Sequence, residues 1–124
     1  YITRDGSKGF QGHVRSQIPK IIEAINKPID RVFVNGCNFV LRMTSDATKP
    51  YDIKTMVSLN TLMIDGTGMC GVCRVSVSGK TKFACVDGPY FDGHEVNWSE
   101  LDQRRKSYMK EEVITLRSIS LAEE

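Results

Sequence analysis

The chain has 124 residues, 40% of them hydrophobic, 26% charged and 8% aromatic, and 17 Lys and Arg against 15 Asp and Glu leave a formal charge of +2. That is an ordinary soluble composition for one domain or two small ones. The near-neutral balance gives no electrostatic case for nucleic acid or for a membrane surface. No apolar run approaches the roughly 18 to 20 residues of a membrane-spanning helix, and no basic-then-apolar leader is visible. The chain opens at Tyr1, inside what reads as a strand and without a Met, so it is expected to be a fragment.

Two regimes follow one another, with a change near residue 60. Tyr1 to Arg4 reads as the tail of a strand opening onto the glycine-rich DGSKGFQG, residues 5–12. Val14, Ile18, Ile21, Ile22 and Ile25 then recur at helical spacing, with Pro19 predicting either a kink or a helix that starts there. Residues 31–35 form a short β-branched and aromatic strand. Phe39, Val40, Met43 and Ala47 give a second helical stripe, stopped by Pro50. Ile53, Thr55, Val57 and Leu59 alternate as a third strand. Strand, helix, strand, helix, strand at these spacings predicts parallel βαβ units, half of a doubly wound domain.

Beyond Asn60 the helical rhythm stops. DGTGMCGVC, residues 65–73, places three glycines and two cysteines in nine positions. Residues 74–77 and 81–85 flank Ser78-Gly79-Lys80 as a hairpin. Asp87-Gly88-Pro89 and Asp92-Gly93 are turns. Asn97-Trp98-Ser99-Glu100 has the form of a capping box and starts a charged surface helix through about Glu112, with Leu101 and Tyr108 its clearest apolar positions.

Cys70, Cys73 and Cys85 fall within sixteen positions, while Cys37 stands apart in an apolar stretch. A Cys-x-x-Cys pair with a third Cys beyond a hairpin is metal-ligand spacing in a reduced, cytoplasmic protein, not a disulfide framework. A thiolate pair two apart can wrap one metal or one edge of a cluster, and flanking Gly66, Gly68 and Gly71 let backbone N–H groups close around inorganic sulfide. The plant-type [2Fe–2S] pattern is C-x4-C-x2-C and a distant Cys. This chain fits it with Asp65 in the first position, which predicts three sulfur ligands and one oxygen ligand. Two other readings stay open on spacing alone. One is structural zinc, with His94 or Asp87 as the fourth ligand, and the other is a redox dithiol.

The stretch MIDGTGMCGVCRVSVSGKTKFACVDGPYFDGHEV, residues 63–96, resembles the C-terminal cluster module of the electron-transfer subunits of dihydroorotate dehydrogenase. It resembles more closely the small subunit of NADH-dependent reduced ferredoxin:NADP oxidoreductase, and related sulfide dehydrogenase and cytoplasmic hydrogenase subunits share the pattern. The dihydroorotate branch has Cys at the first ligand position, whereas the ferredoxin:NADP branch has Asp there, as this chain does. DGSKGFQG (5–12) and VFVNGCNFVL (32–41) also fit, so the resemblance covers nearly the whole chain. It implies Asp65, Cys70, Cys73 and Cys85 as ligands of a [2Fe–2S] cluster.

The resemblance also implies a fold. Residues 1–60 would be the second half of a ferredoxin-reductase-like nucleotide-binding α/β domain, a parallel sheet with flanking helices. Residues 61–96 would be a small hairpin-rich iron–sulfur module, and 97–124 a C-terminal helix and tail. The flavin-binding barrel and the opening strand and phosphate loop of the family would lie outside this chain.

DGSKGFQG is not the G-x-G-x-x-G dinucleotide fingerprint. Still, a strand-to-helix turn at the edge of a parallel sheet is where ligands bind in such folds. In relatives this segment lies near the adenosine half of NAD(P)H, which makes Thr3, Arg4, Asp5 and Gly6 the candidates. Arg4 would suit a 2′-phosphate or simply be a solvated strand end. Relatives often carry Gly-Pro where this chain has Gly36-Cys37, in a loop facing nicotinamide and flavin. Cys37 there either lines that pocket or is a small buried apolar residue, with no catalytic role. His13 and His94 read as turn or surface residues.

The expected function is electron transfer between an NAD(P)H-linked FAD and a [2Fe–2S] cluster in a cytoplasmic iron–sulfur flavoprotein oxidoreductase. The FAD belongs to the full-length protein, and the partner is a larger subunit with flavin and iron–sulfur centres. The fragment alone is expected to be catalytically inert. The alternative is a zinc-stabilised structural or interaction module.

Overall fold

The computed structural model describes residues 2–3, 5–25 and 27–122, and for Ile2 and residues 117–122 the backbone alone. Strand β1 (Ile2–Thr3) leads into a glycine-rich loop and returns as β2 (Phe10–Gln11), which pairs with β1 in parallel. The loop is pinned by Thr3, whose Oγ1 donates to Lys8 O at 3.1 Å and accepts from Lys8 N at 3.3 Å. Among the described residues β1 therefore pairs with β2 in a sheet of its own and not in the main sheet. The sequence signal for that strand covers residues 1–4, of which Tyr1 and Arg4 lie outside the described residues.

Helix α1 (Val14–Ile25) begins well before Pro19 and carries it in its interior. Strand β3 (Arg31–Val34), helix α2 (Asn38–Thr48) and strand β4 (Lys54–Ser58) follow as the predicted βαβ unit. The two strands run parallel, in register from Arg31↔Lys54 to Val34↔Val57.

The face of α2 that meets the sheet is not its apolar stripe. Leu41, Thr44, Ser45 and Thr48 are buried, whereas Phe39 is 66% exposed and Val40, Met43 and Ala47 are half-buried. Two of the three buried hydroxyls, those of Ser45 and Thr48, are satisfied by the helix itself, whereas Thr44 Oγ1 has no partner. Ser45 Oγ donates to Leu41 O at 2.9 Å and Thr48 Oγ1 to Thr44 O at 3.0 Å, which removes most of the penalty for burying a hydroxyl.

The second half folds onto the first. Strands β5 (Arg74–Val77) and β6 (Lys80–Phe83) form the hairpin, turning on two residues, Ser78 and Gly79, both at positive φ. That is the type I′ geometry which matches strand twist. Strand β7 (Tyr90–Asp92), where the sequence shows only turn signals, then pairs antiparallel with β4, Met56↔Asp92 to Ser58↔Tyr90. The three-stranded sheet is thus ordered β3-β4-β7, with its third strand supplied from beyond residue 60.

Two contacts show how closely the halves meet. Gly93 N donates to Thr55 O at 2.7 Å, and a Cβ on Gly93 would overlap Ser45 Oγ and stand 2.8 Å from Val57 Cγ1. One hydrophobic core results, running from Val34, Leu41, Val57 and Leu59 through Cys73, Val75 and Ala84 to Phe91, Val96, Trp98 and Leu101.

The C-terminal helix comes in two parts, α3 (Trp98–Arg105) and α4 (Met109–Ala122), separated by one 3₁₀ turn. Asn97 caps α3 as its side-chain oxygen accepts from Glu100 N at 3.2 Å. Trp98 and Leu101 are buried, and Trp98 Nε1 donates to Gly93 O at 2.9 Å. Tyr108 is exposed. α3 is therefore a core element despite its charge, because two residues three apart are enough to bury one face of a short helix. No helix among the described residues is long and apolar enough to cross a membrane.

Candidate metal centre

The loop between β4 and β5 curls around its own acidic residue. Asp65 Oδ1 accepts from Thr67 N at 3.1 Å, and Oδ2 accepts from Thr67 Oγ1 at 3.3 Å and from Cys70 N at 2.9 Å. Cys70 Sγ lies 3.3 Å from Asp65 Oδ1. The Thr67 N–H above all, with the Cys70 thiol and N–H, holds the Asp65 carboxyl below the usual carboxylate range. Asp65 and Cys70 both lie at the exposed surface.

The other two thiols meet on the inner side. Cys73 is buried at the foot of β5 and Cys85 is half-buried just after β6, with their sulfurs 3.3 Å apart. The hairpin sets this distance, since Arg74 pairs with Phe83 and Ala84 N donates to Cys73 O at 3.1 Å. Burial pushes the Cys73 thiol up, but the N–H and thiol of Cys85 and its own N–H outweigh that and bring it below its usual value. Cys85 moves up in turn, first through its hydrogen bond to Cys73 and then through desolvation. Of the two thiols, Cys73 is therefore the more readily ionised.

The crest of the loop comes near the second pair. The Gly68 N–H lowers the Cys85 thiol and the Asp65 charge raises it, so the crest of the loop faces Cys85. Gly68 is at φ +86°, and a Cβ there would come 2.9 Å from Val86 Cγ2. Only a residue without a side chain can hold that conformation and that approach together. Among the described residues no three His, Cys, Asp or Glu side chains surround a common point. The donors stand in twos.

Neither candidate for a fourth zinc ligand is turned toward these sulfurs. His94 Nε2 lies 3.1 Å from Thr48 Oγ1, against α2. Asp87 closes the turn after β6, where Oδ2 accepts from Phe83 N at 2.8 Å and Oδ1 lies 3.5 Å from Lys82 Nζ.

The nucleotide candidates form two groups. Thr3 and Asp5 spend polar atoms on their own loop, as Asp5 Oδ1 accepts from Ser7 N at 3.1 Å and Gly6 turns at φ +75°. The Ser7 N–H holds the Asp5 carboxyl below its usual range. Arg4 lies outside the described residues. Gly36 and Cys37 lead from β3 into α2, where Cys37 takes the N-cap position without a side-chain cap. Cys37 is exposed, so the alternative of a small buried residue does not hold.

The next residue, Asn38, escaped the sequence reading. It is 4% exposed, yet neither its Nδ2 nor its Oδ1 has a partner. It lines a cavity of about 1090 Å³ that also reaches Thr61, Cys70, Arg74 and Arg104. Nothing in the sequence distinguishes Asn38 from an ordinary first residue of a helix.

Residues 60–97, which contain all four donors, match the iron–sulfur cluster binding domain of dihydroorotate dehydrogenase B. The chain is homologous to the electron-transfer subunit of that enzyme. It is 41% identical over 114 residues to a Thermotoga maritima protein described as a homolog of the dihydroorotate dehydrogenase B (NAD(+)) electron transfer subunit. That match covers 92% of this chain and 40% of the relative. A Clostridium beijerinckii protein, described as uncharacterized in the adh 3′ region, is 46% identical over 110 residues, 89% of this chain and 37% of the relative. In three dimensions the chain is similar to one in the NADH-dependent reduced ferredoxin–NADP oxidoreductase structure, with a TM-score of 0.81 and 40% identity over 93% of this chain and 41% of the other. The chain thus spans about two-fifths of the length of these relatives.

Proposed function

We propose that this chain is the cluster-bearing part of the electron-transfer subunit of a cytoplasmic iron–sulfur flavoprotein oxidoreductase, and that it holds a [2Fe–2S] cluster on Asp65, Cys70, Cys73 and Cys85. The observation that carries the reading is the grouping of these donors as Asp65 with Cys70 and Cys73 with Cys85. Two irons bridged by two sulfides take two protein ligands each, whereas a single tetrahedral zinc requires four donors around one point. The glycine crest at Gly68, with no side chain and with its N–H turned to Cys85, fits the cradle that inorganic sulfide needs.

When bound, such a cluster takes up and releases one electron at a time. The residues hold and tune it. Buried Cys73 and half-buried Cys85 anchor one side through the hairpin, and Asp65 and Cys70 close the other side at the surface. A carboxylate is a harder, less donating ligand than a thiolate, so Asp65 sets a potential unlike that of an all-Cys site.

The nucleotide half supports the same reading. Thr3, Arg4, Asp5 and Gly6 would meet the adenosine end of NAD(P)H, and Gly36, Cys37 and Asn38 the nicotinamide end. The free amide of Asn38 has both a donor and an acceptor to offer there. FAD would be held by the remainder of the full-length protein, and electrons would pass to a larger subunit carrying flavin and iron–sulfur centres.

An anaerobic visible spectrum with iron, sulfide and zinc analysis after reconstitution tests this. Two irons and two sulfides per chain, with a band bleached by dithionite, are expected. One zinc and no colour would replace the proposal with a structural module.

A further inference from the structure

α3 reaches back to the metal loop through one side chain. Arg104 Nη2 donates to Val72 O at 3.1 Å across 32 positions of sequence, in a half-buried setting. Val72 is one of the two residues between Cys70 and Cys73. The other, Gly71, is touched in the same way, since Arg74 Nη1 donates to Gly71 O at 3.4 Å. Both carbonyls between the two cysteines thus carry a guanidinium.

The Arg104 contact is built on a rigid base. Trp98 and Leu101 anchor α3 in the core, Asn97 N donates to Ser76 O at 2.9 Å, and Arg104 lies one turn beyond Leu101 on the same face. A trans peptide is planar with C=O and N–H antiparallel. Holding Val72 O against α3 therefore turns the Cys73 N–H away from α3, toward the sulfur side of the loop. The guanidinium also brings a permanent positive charge to a site that gains negative charge on reduction.

We propose that Arg104 is a positioning residue for the cluster, fixing the peptide between Cys70 and Cys73 through Val72 O and raising the reduction potential. This rests on the cluster reading above. Arg104 touches neither sulfur nor iron and acts through the peptide and its charge.

The test is a redox titration and EPR spectrum of the cluster-loaded protein with Arg104→Met, Arg104→Gln and Arg104→Lys. Arg104→Met is expected to shift the midpoint to more negative values by several times the titration error and to move the g-values of the reduced cluster. Arg104→Lys, which keeps the charge and one donor, is expected to recover most of the shift. Should Arg104→Met fail to retain iron, Arg104→Gln decides, and a negative shift in it supports the proposal. Unchanged potential and g-values in a loaded Arg104→Met or Arg104→Gln protein overturn it, even if the melting temperature falls, because a purely structural contact would move only stability. If the unsubstituted protein takes up no iron and sulfide, the cluster reading itself fails and this inference falls with it.

Discussion

Asp65 and Cys70 form a closed pair in which the carboxylate accepts the Cys70 N–H at 2.9 Å while the Cys70 sulfur stands 3.3 Å from its other oxygen. An Asp-Gly dipeptide ordinarily marks a turn, and here the same carboxylate shapes the turn and faces a cysteine. Both roles are compatible, because a carboxylate has about four lone-pair sites to share.

That pair makes the first prediction. Asp65→Cys should retain a cluster, move its EPR g-values and make the reduction potential more negative, as thiolate donates more strongly than carboxylate. Spectra and potential identical to the parent would reduce Asp65 to a turn residue.

The cysteines should separate cleanly. Cys70→Ala and Cys73→Ala are expected to lose the cluster, measured as iron and sulfide per chain. Cys37→Ala should retain it in full, because Cys37 sits exposed at the start of α2 and is not part of the metal loop. Loss of iron in the Cys37 variant would mean that the donor set has been misassigned.

Gly93 tests how the two halves are joined. Its missing side chain leaves room for Ser45 and Val57, so Gly93→Ala forces apart α2, β4 and the turn after β7. Overpacking of this kind costs about 1–3 kcal/mol. The expected result is a clear fall in the thermal midpoint of the protein without metal, and an unchanged midpoint would show that the contact relaxes freely.

Asp87 gives a pH dependence of known sign. The Phe83 N–H first, and then the neighbouring Lys82, keep its carboxyl below the ordinary carboxylate value against desolvation, which raises it. A group lowered on folding contributes stability above its unfolded value and loses it as pH falls through the folded value. Asp87→Asn should therefore be less stable than the parent at neutral pH, with the gap narrowing in acid below the usual carboxylate range. Denaturation midpoints at the two pH values check this, and a gap that stays constant would remove the ionic contribution.

Much of the architecture can be read from local chemistry. The strands at 31–35 and 53–59, the helix at 38–48, the hairpin at 74–83 and the Asn97 cap each follow from periodicity or turn residues a few positions apart, and so does the donor spacing of Asp65, Cys70, Cys73 and Cys85. What periodicity misjudged is the buried face of α2. Ser45 and Thr48 are polar by composition but become acceptable in the core once their hydroxyls bond to helix carbonyls. A hydropathy pattern has no access to that partner.

The remaining features depend on residues far apart in the chain. β7 is three residues long and falls between two turn signals, and it is a strand only because the edge of β4 offers it hydrogen bonds. The division of four donors into two pairs, the approach of Gly93 to Ser45, the unpartnered amide of Asn38 and the reach of Arg104 to Val72 O all arise when separate segments pack together. The sequence by itself determined which side chains are able to ligate and which segments fold locally, since both depend on neighbours within a few residues. Only the tertiary structure decided how the donors are grouped and which distant residue holds their loop, because those distances are set by a single core shared between the two halves.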